Sequence, residues 1–460
     1  MSSVTKRKTH LIKPLLGLDY PEVTHGKGIY LYDTEGNEYI DAASGAATAN
    51  IGHGVMEIAK VMYEQATRVS FAYRSHFTSE PAEKLAGILA NYAQGDLNWV
   101  FFVNSGSEAT ETALKIALQY WQERGKPEKN HILSRWMSYH GITLGALSMS
   151  GHIIRRRRFE SLLKDYPAVP PPYCYRCPYN LSYPQCKTAC ASELEQAILK
   201  IGADKVAAFI FEPVIGAAGG AVVPPDDYYK EIKAICDKYE ILLIADEVMT
   251  GIGRTGKMFA MEHWNVQPDL IALGKGMSAG YTPMAATIVS DRIIEVIEKG
   301  SKVILSGHTF SGNPQSASIC EAVLEYIEKH NLVQNAKEQG ERLLMGLSNL
   351  EAKYSLVGHS RGLGLLCGLE FVRNKETKEP FPLELEITNR IIQRAFQKGL
   401  ILYNAAGGIN GNSGDAVLIA PPLTINRVEV YKVLTVLEEV IREISLELKN
   451  EGLLTNRSIS

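Results

Sequence analysis

The sequence predicts an α/β fold: a mostly parallel central sheet in a large domain, with a small α+β domain beside it. Three observations predict it. Between about 98 and 290, short apolar strands alternate with helical segments, the pattern of a parallel sheet covered on both faces. After about 313 the pattern turns to long amphipathic helices with a few short strands. The chain has 460 residues, too many for one compact core, yet no Gly-, Ser- or Pro-rich linker, so its lobes must be woven from one continuous chain.

Residues 28–42, GIYLYDTEGNEYIDA, read as two alternating strands around the turn Thr34-Glu35-Gly36-Asn37. Helical periods follow near 56–67 and 80–93. Then come the strand Trp99 to Val103 with a helix at 107–123, and the strand Val206 to Phe211 with a helix at 226–239. Three further strands follow: Ile241 to Ala245, Leu270 to Leu273 and Ala285 to Val289. The C-terminal third reads as helices at 314–328 and 332–350, short strands around 361–371, 400–403 and 416–420, and a last helix near 427–448.

Composition excludes several function classes. Lysine and arginine number 48 against 51 acidic residues, for a net charge of −3, which argues against an electrostatic nucleic-acid binder. No apolar stretch approaches the roughly 18 residues a membrane-spanning helix needs. The start, MSSVTKRKTHLIKPLLG, is basic, but Lys13 and Pro14 break its apolar part, so it does not form a signal-peptide core and the cytoplasm is the expected location. Seven cysteines, an odd number in a long chain, do not suggest a disulfide scaffold.

In open parallel sheets ligands bind beyond the carboxyl ends of the strands, so the residues after each strand carry the functional reading. WVFFVNSGSEATETALKIAL is a strand, a tight Ser105-Gly106-Ser107 turn and a helix whose positive end suits a phosphate; the bland alternative is that Ser107 merely caps the helix. YEILLIADEV ends in Asp246 and Glu247, carboxylates that could face solvent or a metal, or hold a proton on a ligand. PDLIALGKGMSAG runs a buried strand into Gly274-Lys275-Gly276. A lysine there is expected to be partly desolvated, with a lowered pKa suited to a Schiff base. A phosphate cup, a carboxylate for a pyridine nitrogen and an amine for an aldehyde are together what a pyridoxal-phosphate site needs.

These residues carry a family resemblance. Ser105-Gly106-Ser107-Glu108-Ala109, Tyr139-His140-Gly141, Asp246-Glu247-Val248 with Gly251-Ile252-Gly253-Arg254-Thr255-Gly256, Gly274-Lys275-Gly276 and Gly307-His308-Thr309 stand in the order seen in class-III aminotransferases. Gly52-His53-Gly54 and Ala420-Pro421-Pro422-Leu423 extend the match to almost the whole chain. The resemblance implies the aspartate-aminotransferase type of fold, with a large domain at 66–315 and a small domain made from 1–65 and 316–460. It implies pyridoxal 5′-phosphate as cofactor, bound covalently by Lys275, which also relays the proton, with Asp246 on the ring nitrogen. Ser105, Gly106 and Ser107 are then expected at the phosphate, Tyr139 and Val248 on the ring faces, and His140 and Glu212 around the ring. Thr309 is expected at the phosphate of a neighbouring subunit's cofactor, in a homodimer or dimer of dimers with shared sites.

Where this chain departs from the family pattern, it points to substrate. Many members that use glutamate or 2-oxoglutarate carry an arginine just before Ala-Pro-Pro; here that position is Leu418. Others carry a mobile arginine slightly earlier, whereas the loop 404–415, NAAGGINGNSGD, has none. Met249 and Ala46-Ala47 replace a glutamine and an aromatic. The chain therefore resembles the omega-amino-acid or amine:pyruvate branch, which implies an amine or omega-amino-acid donor and a keto-acid acceptor, pyruvate being expected. Ala47 and Tyr139 are the expected substrate contacts, and Arg74 the candidate carboxylate anchor. The alternatives left open are another pyridoxal reaction, such as racemisation, decarboxylation or amine-phosphate elimination, and a non-catalytic protein of this fold.

Three further signals weigh less. Gly251 to Lys257 matches a phosphate-binding loop until Met258, which leaves no hydroxyl for a magnesium ion. Cys174, Cys177, Cys186 and Cys190 could ligate zinc or pair as disulfides, although the proposed chemistry needs no metal. The run Arg155 to Arg158 reads either as a surface for an anionic substrate or partner, or as a solvated or subunit-contact loop, and the second is the simpler reading.

Overall fold

The structure is a computed structural model and describes residues 10–409, 411 and 413–454. Residues 1–9, 410, 412 and 455–460 lie outside the described residues, and with them the basic start, two positions of the loop 404–415 and the last residues assigned to the small domain. Three strands open the fold: β1 (Val23–Lys27), β2 (Tyr30–Asp33) and β3 (Glu38–Asp41). The turn predicted at 34–37 joins β2 and β3, held by the Asp33 carboxylate, which accepts from the backbone N–H groups of Glu35 and Asn37.

The central sheet has seven strands: β4 (Trp99–Val103), β5 (His131–Arg135), β6 (Ala168–Val169), β7 (Val206–Phe211), β8 (Leu242–Asp246), β9 (Leu270–Leu273) and β10 (Ala285–Val289). Their order is β4-β10-β9-β8-β7-β5-β6, and only β10 runs antiparallel to its neighbours. Every residue of β7 to β10 is buried. Their two-residue period splits that apolar content between the faces: Phe209, Phe211, Leu243 and Ala245 join one core, and Ala208, Ile210, Leu242 and Ile244 the other.

The C-terminal part adds β11 (Val357–Leu363), β12 (Leu366–Phe371), β13 (Leu400–Ile401), β14 (Tyr403–Asn404) and β15 (Asp415–Ile419). β11, β12, β15 and β14 form an antiparallel sheet packed by the helices Leu332–Lys353 and Ile387–Gln397. β13 pairs parallel to β3, so the two ends of the chain share one sheet. The stretch expected to hold short strands around 361–371 lies in a hairpin, because Gly364, at φ +53, turns the chain back between β11 and β12. The expectation missed β5, β6 and the helices Ala189–Ile201, Asp291–Lys299 and Ile387–Gln397.

All seven cysteines are free thiols, and among the described residues no group of three or more His, Cys, Asp or Glu is placed to hold a metal. Burial pushes the Cys190 thiol up to about 12. No helix of the described residues is long and apolar enough to cross a membrane.

Candidate active site

Five carboxyl ends of parallel strands deliver the predicted residues to one place. Asp246 closes β8, Glu212 follows β7, Gly274 and Lys275 follow β9, Tyr139 to Gly141 follow β5, and Gly106 and Ser107 open the helix Gly106–Glu123 after β4. Together with Ala217, Val248 and Met249, the side chains of this group line a cavity of about 180 Å³. The positive end of the helix Gly106–Glu123 faces into it.

The serine turn divides its labour differently from the bland expectation. Ser105, not Ser107, is the helix N-cap, its Oγ accepting from the Glu108 N–H at 3.3 Å. Ser107 Oγ instead accepts from the Ile142 N–H at 3.0 Å, which locks the turn to the Tyr139-His140-Gly141 segment. Both glycines are needed for this closeness. A Cβ on Gly106 would lie 2.7 Å from Val248 Cγ1, and one on Gly141, at φ +131, would lie 2.5 Å from Ser107 Oγ.

Asp246 and Glu247 point to different tasks. Asp246 faces the cavity, with Oδ2 2.7 Å from His140 Nδ1 and Oδ1 accepting from the Val248 N–H at 3.1 Å. Glu247 turns away and accepts from the Thr250 hydroxyl and from the Ala260 and Met261 N–H groups, and burial pushes its carboxyl up to about 7. Glu212 is held by N–H donors from Tyr139 at 2.9 Å and Gly216 at 3.0 Å, while burial raises its pKa.

Lys275 is half-buried in the cavity lining. Its amine makes no hydrogen bond to a described residue, and burial lowers its pKa, with the Asp246 and Glu212 carboxylates opposing that fall. Its backbone sits at φ +40, a left-handed conformation that a side chain adopts at a cost of order 1–3 kcal/mol and that clusters at functional sites. His140 Nε2 is likewise buried without a partner.

Four predicted residues stand elsewhere. Ser105 is exposed at the helix cap, and Ala47 is buried at φ +56 outside the cavity lining. Thr309 is exposed, and Arg74 lies over the Phe101 ring and donates to the Ser306 carbonyl, lining a separate cleft. Arg74 also packs on Gly307, where a Cβ would meet Nη2 at 2.3 Å. Ala217 lines the cavity and escaped the sequence reading. Its signal was the small-residue run Gly216 to Gly220 directly after a strand end, where a Cβ on Gly216 would meet Met249 Sδ at 2.3 Å.

The chain is similar to known proteins over most of its length. The family model for class-III aminotransferases matches residues 19–441. An uncharacterized aminotransferase of Bacillus subtilis, YodT, is 49% identical over 443 residues, 96% of this chain and 100% of its own. The putrescine–pyruvate aminotransferase of Pseudomonas aeruginosa is 34% identical over 90% of this chain and 88% of its own. Among solved structures, an amine transaminase from an uncultivated Pseudomonas species in its PLP-bound form superposes with a TM-score of 0.88 at 33% identity, covering 95% of this chain and 99% of that one. The chain belongs to the class-III aminotransferases, a family of enzymes that depend on pyridoxal phosphate.

Proposed function

We propose that this chain binds pyridoxal 5′-phosphate in the Lys275 cavity and transfers an amino group from a primary amine or omega-amino acid to a keto acid, with pyruvate as the acceptor. One observation carries the reading: a half-buried lysine with no amine hydrogen bond to a described residue shares its cavity with a buried carboxylate that is oriented by a histidine. The cavity residues fit the cofactor. Gly106 and Ser107, at the positive end of a helix, would hold its phosphate. Tyr139 and Val248 would bracket its ring, Asp246 would meet the ring nitrogen, Glu212 and His140 would stand around it, and Lys275 would bind its aldehyde carbon. When bound, the cofactor supplies an electron sink for the carbon that carries the amine.

The chain's own contribution is proton handling and orientation. With its pKa lowered by burial, Lys275 can accept a proton from the substrate carbon and return it elsewhere more readily than an ordinary lysine. Asp246, fixed by His140 and the Val248 N–H, would keep a proton on the ring nitrogen. Val248 packs against the buried cluster of Val103, Ala109, Ala272 and Ala285, which backs that wall.

The same reading treats 66–315 as the large domain and 1–65 with 316–460 as the small one, a division supported by the pairing of β13 with β3. It assigns Ser105 to the phosphate end of the site, the exposed Thr309 to the phosphate end of a second copy's site in a dimer, Ala47 to a substrate contact, and Arg74, held in a separate cleft, to a dimer contact.

The test uses the purified protein loaded with pyridoxal phosphate. Amine donors should bleach its visible absorbance and pyruvate should restore it, while Lys275→Ala should lose both responses. If no amine or amino acid bleaches the wild type, the transaminase reading fails; donor racemisation or CO₂ release without keto-acid consumption would assign another reaction to the same residues.

A further inference from the structure

The four-arginine run separates into different roles. Arg156 donates to the carbonyls of Leu147, Ser148 and Ser150 and so closes the end of the helix Leu144–Met149. Arg158 is exposed. Arg155 is half-buried, with its guanidinium carbon 4.2 Å from the centre of the Tyr139 ring, and Tyr139 is a wall of the Lys275 cavity. Its charge reaches the Lys275 amine and helps to depress that pKa.

A guanidinium packed on an aromatic face keeps its N–H fork free for a planar anion. The Arg155 guanidinium makes no hydrogen bond or ion pair to a described residue; the backbone N–H donates to the His152 carbonyl at 3.1 Å. The nearby carboxylates are already engaged: Asp246 with His140 and the Val248 N–H, Glu212 with the N–H groups of Tyr139 and Gly216. Gly407 and Gly411 approach the same segment closely: a Cβ on Gly411 would meet Ile153 at 2.5 Å and one on Gly407 would meet Ile154 at 3.3 Å. Arg155 therefore stands beside the cavity as a positioned cation with no ion pair to an anion among the described residues. Arg74, by contrast, is held to the Ser306 carbonyl in another cleft.

We propose that Arg155 receives the carboxylate of the substrate at the Tyr139 wall of the Lys275 cavity, which makes this chain selective for amino donors and keto acceptors that carry a carboxylate. The proposal rests on the transaminase reading and names its substrate class. The test compares wild-type, Arg155→Ala, Arg155→Lys and Arg74→Ala holoenzymes. Each carboxylate-bearing donor the wild type accepts is paired with the same amine lacking the carboxylate, and the ratio of their kcat/KM values is measured. A charge-assisted, two-pronged contact predicts that the ratio falls about tenfold or more in Arg155→Ala and partly recovers in Arg155→Lys. Calorimetric titration with succinate, which needs no turnover, should show binding to the wild type weakened about tenfold or more in Arg155→Ala. An unchanged ratio, a ratio that moves in Arg74→Ala instead, or no succinate binding to the wild type overturns the assignment. If no donor of either kind reacts, the transaminase reading fails by itself, and the succinate titration still decides the role of Arg155.

Discussion

His140 Nδ1 lies 2.7 Å from Asp246 Oδ2, with the imidazole wholly sealed from solvent and the carboxylate 4% exposed. An ionised aspartate only accepts, so Nδ1 carries the hydrogen and Nε2 is left as a buried nitrogen without a partner. Leaving a buried polar atom unmet costs about 1–3 kcal/mol, a cost that is explicable where orientation of the carboxylate matters for function. His140→Ala should therefore weaken cofactor retention and lower the rate of the amine half-reaction by about ten- to a hundredfold, and Asp246→Asn should lower it further. Stopped-flow absorbance and cofactor release on dialysis measure both; wild-type values in His140→Ala would show that the pair does not orient the site.

The depressed pKa of Lys275 gives a pH signature in the cofactor-free chain. A lysine in an unfolded chain titrates near 10.5, and burial lowers the folded value below that. Between the two, the unfolded chain binds the proton and the folded chain does not, so stability rises with pH across this window. Lys275→Met should flatten that rise, and urea unfolding of both cofactor-free proteins at several pH values below 10.5 reads it directly. Equal slopes in the two proteins would place the lysine in water rather than in the cavity.

Gly106→Ala tests how tightly the phosphate turn is drawn. The new methyl would meet Val248 Cγ1 at 2.7 Å, and Val248 packs against the buried cluster that holds Val103 and Ala272. Val248, which lines the cavity, must shift to relieve the contact, at an overpacking cost of about 1–3 kcal/mol. The cofactor should dissociate about tenfold or more faster, because the strain and the displaced ring wall act together. An unchanged dissociation rate, followed by absorbance after dilution, would mean that the helix start shifts freely.

How far the sequence disclosed this site depends on where polarity was hidden. β7, β8, β9 and β10 were legible because both faces are buried and the strands are apolar throughout, and their ends pointed to Asp246 and Lys275. β5 was not, because HILSR carries Arg135, which a single chain cannot reveal to be buried. Its guanidinium donates to the Glu212 carbonyl and the Tyr229 hydroxyl across the sheet. The cap at Ser105 rather than Ser107 is one residue beyond what turn chemistry resolves, since both serines precede a glutamate or threonine at capping distance. Arg155 read as part of a solvated run because its tie to Tyr139 is tertiary.

Arg254 makes the most demanding case. The loop Gly251 to Lys257 looks like a phosphate loop, yet its arginine is fully buried and reaches three distant segments. Nη1 donates to the carbonyls of Leu365 at 3.1 Å and Pro421 at 2.5 Å, and Nη2 to Asn50 Oδ1 at 2.7 Å and Ser44 Oγ at 3.4 Å. Burial lowers its pKa to about 9, with Asp41 opposing, so its charge is held mainly by neutral oxygens. These bonds tie the start of the chain, the β11–β12 hairpin and the Pro421 turn to the segment just after Asp246. A lysine has one compact ammonium and cannot span acceptors that a flat five-donor fork reaches. Arg254→Lys should therefore cost about 3 kcal/mol or more in unfolding free energy, the range seen when a buried charged network loses its geometry. Urea denaturation of the cofactor-free protein at neutral pH measures it as a lower midpoint at constant slope. A loss below about 1 kcal/mol would mean that the three segments hold together without the guanidinium, and that Arg254 is not what joins the chain's ends to the Lys275 cavity.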